Sequence, residues 1–578
     1  MSEQPLQTPP VVAPDHTTSI PTSSTDTTSN LIRQELASHA HLSLDRVWVL
    51  ESALGLVGNF VSASQHAEGV QDQPSPVSNS FSLEDIPSEL FYMLLHDQGT
   101  SMGGSLLHWP DHISSKTLER MCVALSSRAV HGQVALRYSL CVLSKAAMYV
   151  SRWLRFGTAG GLIDSLGRSR KAYITASLRC LKEIDFSKSP SLSMLQALLS
   201  GASLVQLLGE TSRSWFLTAI ASRVLVSLGY HQSSVAFLES DGGCDIRHCV
   251  YWCYYMDKTL SMLLVRPSSL PSLRYQPSDL VHEETAKPLL CKVKILVRLA
   301  HVQDRYLDIM FQHPKPEGNS LSELVDSLHS ELTSISKNIL KYRSEYVSTP
   351  TWEYEWDAVN FTFCSIATTV LRLNSLFLHD HRKREECLEY ARNALRSMQT
   401  CQKHIYSTSA ASTDSLIWTV LLYPLTPFFV LFCNVVASSN IDDLDLLNEA
   451  TVTISNIQDQ CAFSMNIQHL LAQLTDLCSH LDEVKEKQQV SSVPNYRNLG
   501  SITQGTLDLP RRMSAPVNTS TDGQILPPVS NPATGDAGAK EASVWDDGLL
   551  WELFNIQPSV EWFDVDYCNL FEPQQPQP

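Results

Sequence analysis

The 578-residue chain has 14 cysteines, but no two of them stand in a C-x-x-C arrangement. That spacing is what zinc ribbons and dithiol redox sites need. The cysteines fall instead in apolar stretches, as at Cys122, Cys141, Cys364 and Cys433, where a thiol behaves as a small hydrophobe. This usage implies a reducing compartment and excludes a disulfide framework. Basic residues are scarce where they would be diagnostic. Met1 to Asn30 hold no Lys or Arg and no apolar run, so neither a signal peptide nor a transit peptide is visible. Over the whole chain 60 acidic residues face 43 basic ones, for a net charge of -17. The basic footprint of a nucleic-acid binder is therefore missing.

A long unbroken apolar run is lacking too. The nearest approach is Leu416 to Ala437, "LIWTVLLYPLTPFFVLFCNVVA", which comes close to a membrane span in length. Pro424 and Pro427 interrupt it, Asp414, Asp442 and Asp443 flank it, and no Lys or Arg lies near enough to orient it. It reads as a buried core helix with a proline-broken start, and no membrane association is expected.

Period-two alternation is scarce, and helical periodicity fills the gap. Leu195, Leu198, Leu199, Ala202, Val205 and Leu208 recur at three and four and end at Gly209. Trp215, Phe216, Ala219, Ile220, Val224 and Leu228 do the same and end at Gly229, a residue suited to a left-handed helix cap. Val297 to Phe311, Leu321 to Tyr342, Trp352 to Leu378 and Ile454 to Val484 behave alike. The fold class is all-α, a large multi-helix domain between disordered flanks. Residues 1–80 are expected to be mostly disordered, with a short amphipathic helix near 43–57 that Ser43 can cap. Residues 81–487 form the helical domain, 488–542 a Ser/Thr/Pro/Asn/Gly linker, and 543–578 a segment of different chemistry.

That last segment interleaves Trp545, Leu549, Leu550, Trp551, Leu553, Phe554, Trp562, Phe563, Tyr567, Leu570 and Phe571 with Asp546, Asp547, Glu552, Glu561, Asp564, Asp566 and Glu572. No Lys or Arg occurs from Glu541 onward. Like charges between the large side chains oppose collapse and leave the aromatics free to enter grooves on partner proteins. Acidic–hydrophobic alternation at a terminus is the pattern of transcriptional activation segments. The contact residues expected are Trp545, Leu550, Trp551, Phe554, Trp562, Phe563 and Phe571. A helix folding back onto the body is the competing reading, and the two are compatible if docking is autoinhibitory.

Two blocks carry a resemblance: "GASLVQLLGETSRSWFLTAIASRVLVSLGYHQ" (Gly201–Gln232) and "RHCVYWCYYMDKTLSMLLVRPSSLP" (Arg247–Pro271). They resemble the fungal-specific transcription factor domain, the middle homology region of fungal zinc-cluster regulators. The family pattern is met by Trp215, Ala221, Arg223, Leu228 and Gly229, then by Arg247, Tyr251, Trp252, Tyr255, Asp257, Lys258, Leu260, Ser261, Arg266 and Pro267. Where the family has Gly-Arg-Pro this chain has Val265-Arg266-Pro267, which puts the loop after that helix in question. Leu107–Met121 and Tyr423–Val435 also look like family blocks, so the resemblance is read over about residues 82–480. Asp257, Lys258 and Arg266 invite an ion-pair network between helices, with a structural and not a catalytic role.

The family usually opens with a six-cysteine zinc cluster, but the first cysteine here is Cys122. The cluster of Cys244, Cys249, Cys253 and His248 reads as packed core and not as a metal site. His379 and His381 beside Arg382–Glu386 read as a solvated helix connection, and "RSRK" (Arg168–Lys171) as a surface charge run. An all-helical enzyme using "DDLD" (Asp442–Asp445) would need Asp-Asp-x-x-Asp and a second metal motif; the spacing is one residue short.

No catalytic residue, metal or cofactor is expected. The resemblance implies a nuclear regulator working with transcription coactivators or a DNA-bound partner protein. Control of a biosynthetic, secondary-metabolite gene cluster fits it, as does a homo- or heterodimer. Direct DNA contact is not expected without a zinc cluster. The alternative is a zinc-cluster activator whose N-terminal exon is missing from the gene model.

Overall fold

Helix ends in this chain are set by short polar side chains and by residues that accept a left-handed backbone. In the computed structural model, Ser114 Oγ accepts the backbone N–H of Thr117 and starts α1 (Ser115–Ser126). Ser191 Oγ accepts that of Met194 and starts α4 (Leu192–Leu207); each satisfies one of the orphan donors of a first turn. Gly209 (φ +86°) follows α4, and Gly229 (φ +74°) follows α5 (Thr211–Ser227), where the three-and-four periodicity placed the stops. The structure describes residues 110–478, apart from short interruptions at 157–162, 241–242, 282–287, 313–315, 317, 347–349, 374–380, 408–425 and 456–467, together with 46–53, 55–56, 90–91 and 94–95. Among the described residues there is no strand.

Between α1 and α4 run α2 (Gly132–Phe156) and α3 (Ile163–Glu183). After α5 come the short α6 (Val235–Glu239) and the motif helix α7 (Cys244–Leu263). The second half holds α8 (Pro288–Phe311), α9 (Gly318–Tyr346), α10 (Pro350–Leu371), α11 (His381–Ser407), α12 (Thr426–Ser438) and α13 (Ile441–Ser455). Residues 468–478 add a last helical stretch.

Burial follows the sequence pattern. In α9 the buried residues are Val325, Leu328, Leu332, Ile335, Ile339 and Tyr342, one stripe at spacings of three and four, as in a helix that faces water on its other side. By contrast α4 is buried from Met194 to Leu207 and α7 from Cys249 to Leu263. These two are central, and small residues let neighbours come close. A Cβ built at Gly201 would stand 2.9 Å from Leu181 Cδ1 of α3, so glycine there fits the α3–α4 contact. Helix α4 lies against α2 and α5, α5 against α7, and α7 against α8. From α8 the chain passes through α9, α10 and α11 to α12 and α13, each against its predecessor or against α11.

The apolar run 416–437 contributes α12, with Pro427 in its first turn and Phe428, Phe429, Leu431 and Phe432 all at most 1% exposed. No described helix is long and apolar enough to cross a membrane. Residues 46–53 are helical and bury Val49, Leu50 and Ala53 in the main core. One local expectation is corrected: His381 to Glu386 are not a connection but the first residues of α11. Lys383 there pairs with Asp326 at 2.9 Å, and Glu386 with His329 at 2.9 Å, so the charge run serves to hold α11 to α9. The tail 543–578 and its expected contact residues lie outside the described residues.

Candidate functional site

The family-like residues converge on the C-terminal half of α7. Burial of Asp257 and Lys258, each 1% exposed, would be prohibitive for isolated charges, so their surroundings must supply partners. Lys258 Nζ stands 3.3 Å from Asp257 Oδ2 and 2.9 Å from Asp304 Oδ1 of α8. It also donates to the carbonyl of Leu270 at 2.8 Å. The carboxylate of Asp257 accepts the backbone N–H groups of Ser269 (2.9 Å) and Leu270 (3.1 Å). Tyr254 completes the group: its hydroxyl donates to Asp304 Oδ2 at 3.1 Å, and its ring lies under the Lys258 ammonium. Burial pushes the Asp257 carboxyl above its ordinary value, against the lowering pull of Lys258 and the two N–H groups. The network ties α7 to α8 and pins the segment after α7 back onto the helix.

The turn that makes this possible contains the one departure from the family pattern. Leu264 caps α7; Val265 donates to Met262 O at 3.3 Å and Arg266 to Ser261 O at 2.9 Å. This is a Schellman closure, which places its C′ residue in the left-handed region and favours glycine there. Val265 sits in that position with φ +50°. The turn therefore closes with both of its hydrogen bonds, at the cost of backbone strain in a β-branched residue. Trp215 of α5 braces the same turn. Its indole N–H donates to Ser261 Oγ at 3.2 Å, and the Arg266 guanidinium lies 4.5 Å from its ring centroid. Pro267 follows, exposed, where it cannot continue the helix.

The N-terminal half of α7 meets a second buried polar group, on the loop 110–114. Asp111 Oδ2 pairs with Lys145 of α2 at 2.7 Å. The carbonyl of Asp111 is met by His248 Nδ1 at 2.9 Å and the Tyr251 hydroxyl at 3.2 Å. His112 Nε2 shares a 2.8 Å hydrogen bond with Ser200 Oγ of α4, and its ring stacks on Trp252. Burial is the largest influence on His112 and holds its pKa down to about 4. The Trp252 indole N–H donates to Ser203 Oγ at 3.2 Å and its ring packs on Tyr255. Arg247, one turn earlier, directs a guanidinium N–H to Cys244 Sγ at 3.8 Å.

Two further buried ion groups repeat the theme. Glu355 of α10 receives Lys292 of α8 and, at 3.1 Å, Arg152 of α2. Asp443 of α13 accepts from Arg392 of α11 at 2.7 Å and from Asn434 of α12 at 2.7 Å. That disposition accounts for the buried aspartate of the "DDLD" run as a clamp between helices. Cys249 and Cys253 are fully buried, with Sγ atoms against His112 O and Ser222 Oγ, and burial drives both thiols well up. Among the described residues no group of His, Cys, Asp and Glu could hold a metal ion.

Asp257 and Lys258 share one buried network with Asp304, whereas Arg266, expected in the same ion-pair network, lies over the Trp215 ring beside it. Asp304, Asp111, His112, Lys145 and Ser200 were not anticipated as members of these buried groups. Asp111 and His112 lie in the Leu107–Met121 block, which was the one available signal. The arrangement is a set of buried ionic clamps that fix helix register, with no nucleophile and base open to solvent in it.

Residues 152–349, about a third of the chain, match the fungal specific transcription factor domain. The match runs from Arg152 in α2 to the residues just before α10 and contains the whole of α7. It is narrower than the span read from the sequence blocks. An uncharacterized transcriptional regulatory protein of Schizosaccharomyces pombe is 23% identical over 330 residues, 51% of this chain and 49% of the relative. The chain spans about half the length of that curated relative.

Proposed function

We propose that this chain regulates transcription in a fungus. The observation that carries the reading is the domain match over 152–349, centred on a motif helix whose charged residues serve as internal clamps. The Schizosaccharomyces pombe relative, named a transcriptional regulatory protein, supports the same reading. In this reading the helical body is a scaffold that receives partners, and the acidic aromatic segment 543–578 recruits coactivators. The protein works in the nucleus through a DNA-bound partner, at the genes of a biosynthetic cluster.

The test is affinity purification from nuclei of the source fungus, followed by a gel-shift with the purified full chain. A co-purifying DNA-binding protein, with no sequence-specific shift by the chain alone, supports the reading. Tight sequence-specific binding by the chain alone overturns the partner-dependent part of it. A second reading is a longer zinc-cluster activator of which this sequence is one part. Genomic sequence upstream, read for a C-x2-C-x6-C block, separates the two.

A further inference from the structure

A buried cation of the body stands without a counter-ion. Arg137 of α2 is 7% exposed, and among the described residues no carboxylate pairs with it. Its guanidinium makes a 3.3 Å hydrogen bond from Nη1 to Ser191 Oγ, while Nε is buried with no acceptor. Other buried cations differ: Lys145, Arg152, Lys258 and Lys292 each meet a carboxylate. A buried charge left unpaired is costly, so an anion is the natural complement of Arg137. Ser191 caps α4, and Arg137 is therefore aimed at a helix N-terminus. No charged residue occurs over Leu192–Leu207, and the backbone N–H groups of Leu192 and Ser193 have no acceptor among the described residues. Such a terminus offers its N–H groups and its dipole to phosphate oxygens, and a guanidinium fork binds phosphate through two parallel bonds. The loop that leads there is hung on α2 at both ends. Gln133 donates to Glu183 O at 3.1 Å and accepts the N–H of Asp185 at 2.9 Å; Arg137, one turn on, holds Ser191. Between these anchors Ser187, Lys188, Ser189 and Pro190 are exposed.

We infer that Ser189 is a phosphorylation site whose phosphate is received by Arg137 and the first turn of α4. Proline-directed kinases select a proline after the acceptor, because its ring has no backbone N–H to leave unsatisfied in their pocket. Two Ser/Thr-Pro pairs lie wholly among the described residues, Ser189-Pro190 and Thr426-Pro427. Thr426 is 3% exposed in α12, so of the two only Ser189 is open to an enzyme. Ser191, two residues on, is extended at φ -153° and ψ 160°, the form in which a kinase cleft takes its substrate. The Ser189 hydroxyl attacks the γ-phosphorus of ATP, its proton passes to the kinase's catalytic carboxylate, and ADP leaves with the electrons of the broken P–O bond. Two residues of chain reach about 7 Å, which keeps a phosphate on Ser189 within range of the guanidinium beside Ser191. Lys188, exposed and 3.6 Å from Asp185, adds a second cation. The modification creates charge-assisted bonds between α2, the loop and α4, and stiffens the start of a central helix.

The test begins with the full chain, a recombinant mitogen-activated protein kinase and ATP. Peptide mass spectrometry is expected to place phosphate on Ser189 and none on Thr426; an unmodified Ser189 overturns the inference. The full chain carrying phosphoserine at position 189 alone, made by genetic-code expansion, is then titrated by phosphorus NMR. The second pKa of its phosphate is expected about one unit below that of the free phosphopeptide of residues 184–193, a shift of about tenfold in the protonation equilibrium. Calorimetry is expected to show a Tm about 3 °C above that of the unmodified chain. Arg137→Gln is expected to remove both differences, each measured against its own unmodified chain; if that variant does not fold, the comparison with the peptide decides. A phosphate that titrates like the peptide, or differences indifferent to Arg137→Gln, overturns the site. A Tm rise of the unmodified chain in millimolar inorganic phosphate, with none on phosphorylation of Ser189, assigns the site to free phosphate and overturns the covalent source.

Discussion

The guanidinium of Arg266 rests 4.5 Å from the ring centroid of Trp215, and this contact spans the turn at which the chain departs from the Gly-Arg-Pro pattern of the domain it resembles. Arg266 owes its position to the Schellman closure through Val265, and Trp215 owes its own to the hydrogen bond with Ser261. Helices α5 and α7 are thus joined through a turn whose backbone is strained.

Val265→Gly should therefore stabilise the protein. A left-handed backbone costs a β-branched residue about 1–2 kcal/mol, and glycine gives back part of that through its larger unfolded-state entropy. A net gain of about 1 kcal/mol, read as a rise in Tm of roughly 2 °C, is expected by differential scanning calorimetry. A lower Tm would show that the valine side chain contributes more contact than its exposure implies.

Lys258 is the residue whose loss should cost most. Lys258→Met leaves Asp257 and Asp304 facing each other without a counter-ion, and breaking a buried pair in this way costs about 3–5 kcal/mol. Adding Asp304→Asn should restore part of the loss, because the uncompensated charge goes with it. Urea unfolding of the two single variants and the double variant gives the coupling directly. Additive losses would mean that the 2.9 Å contact carries no energy of its own.

Stability should fall in mild acid. Unfolded His112 takes up a proton near pH 6.5, whereas in the folded chain burial delays this to about pH 4. Protons thus favour the unfolded chain in between, and stability present above pH 6.5 is lost as pH falls toward 4, by about 3 kcal/mol. His248, also lowered by burial, adds to the same slope. His112→Gln should be less stable at pH 7 but should lose much of the dependence between pH 6.5 and 4, measured by urea midpoints at several pH values. An unchanged slope would assign the acid response to other groups.

How far the sequence led differs from residue to residue. The stops at Gly209 and Gly229, the two central helices and the buried role of α12 all follow from local periodicity and cap chemistry, which act within a few residues. The role of Asp257 and Lys258 as a structural pair was legible from their place in a buried motif. Their partner Asp304 was not, since it lies 46 residues after Lys258 on α8, and helical period says nothing about which turn of the next helix comes opposite. The same holds for Asp111, Lys145 and Ser200, joined by tertiary packing alone. At Val265 the sequence raised the question of an altered loop, and the structure shows a turn closed by two hydrogen bonds in spite of one strained φ. The charged start of α11 was misread because Arg382–Glu386 lacks apolar residues, although its partners on α9 make it helical.

The central claim, that the chain acts on transcription through its acidic aromatic segment, is tested most directly by fusing residues 541–578 to an unrelated DNA-binding domain and measuring a reporter. The fusion should activate, and Trp551→Ala with Phe554→Ala should return expression to the level of the DNA-binding domain alone. A silent fusion, or an unimpaired double-alanine variant, would contradict the account.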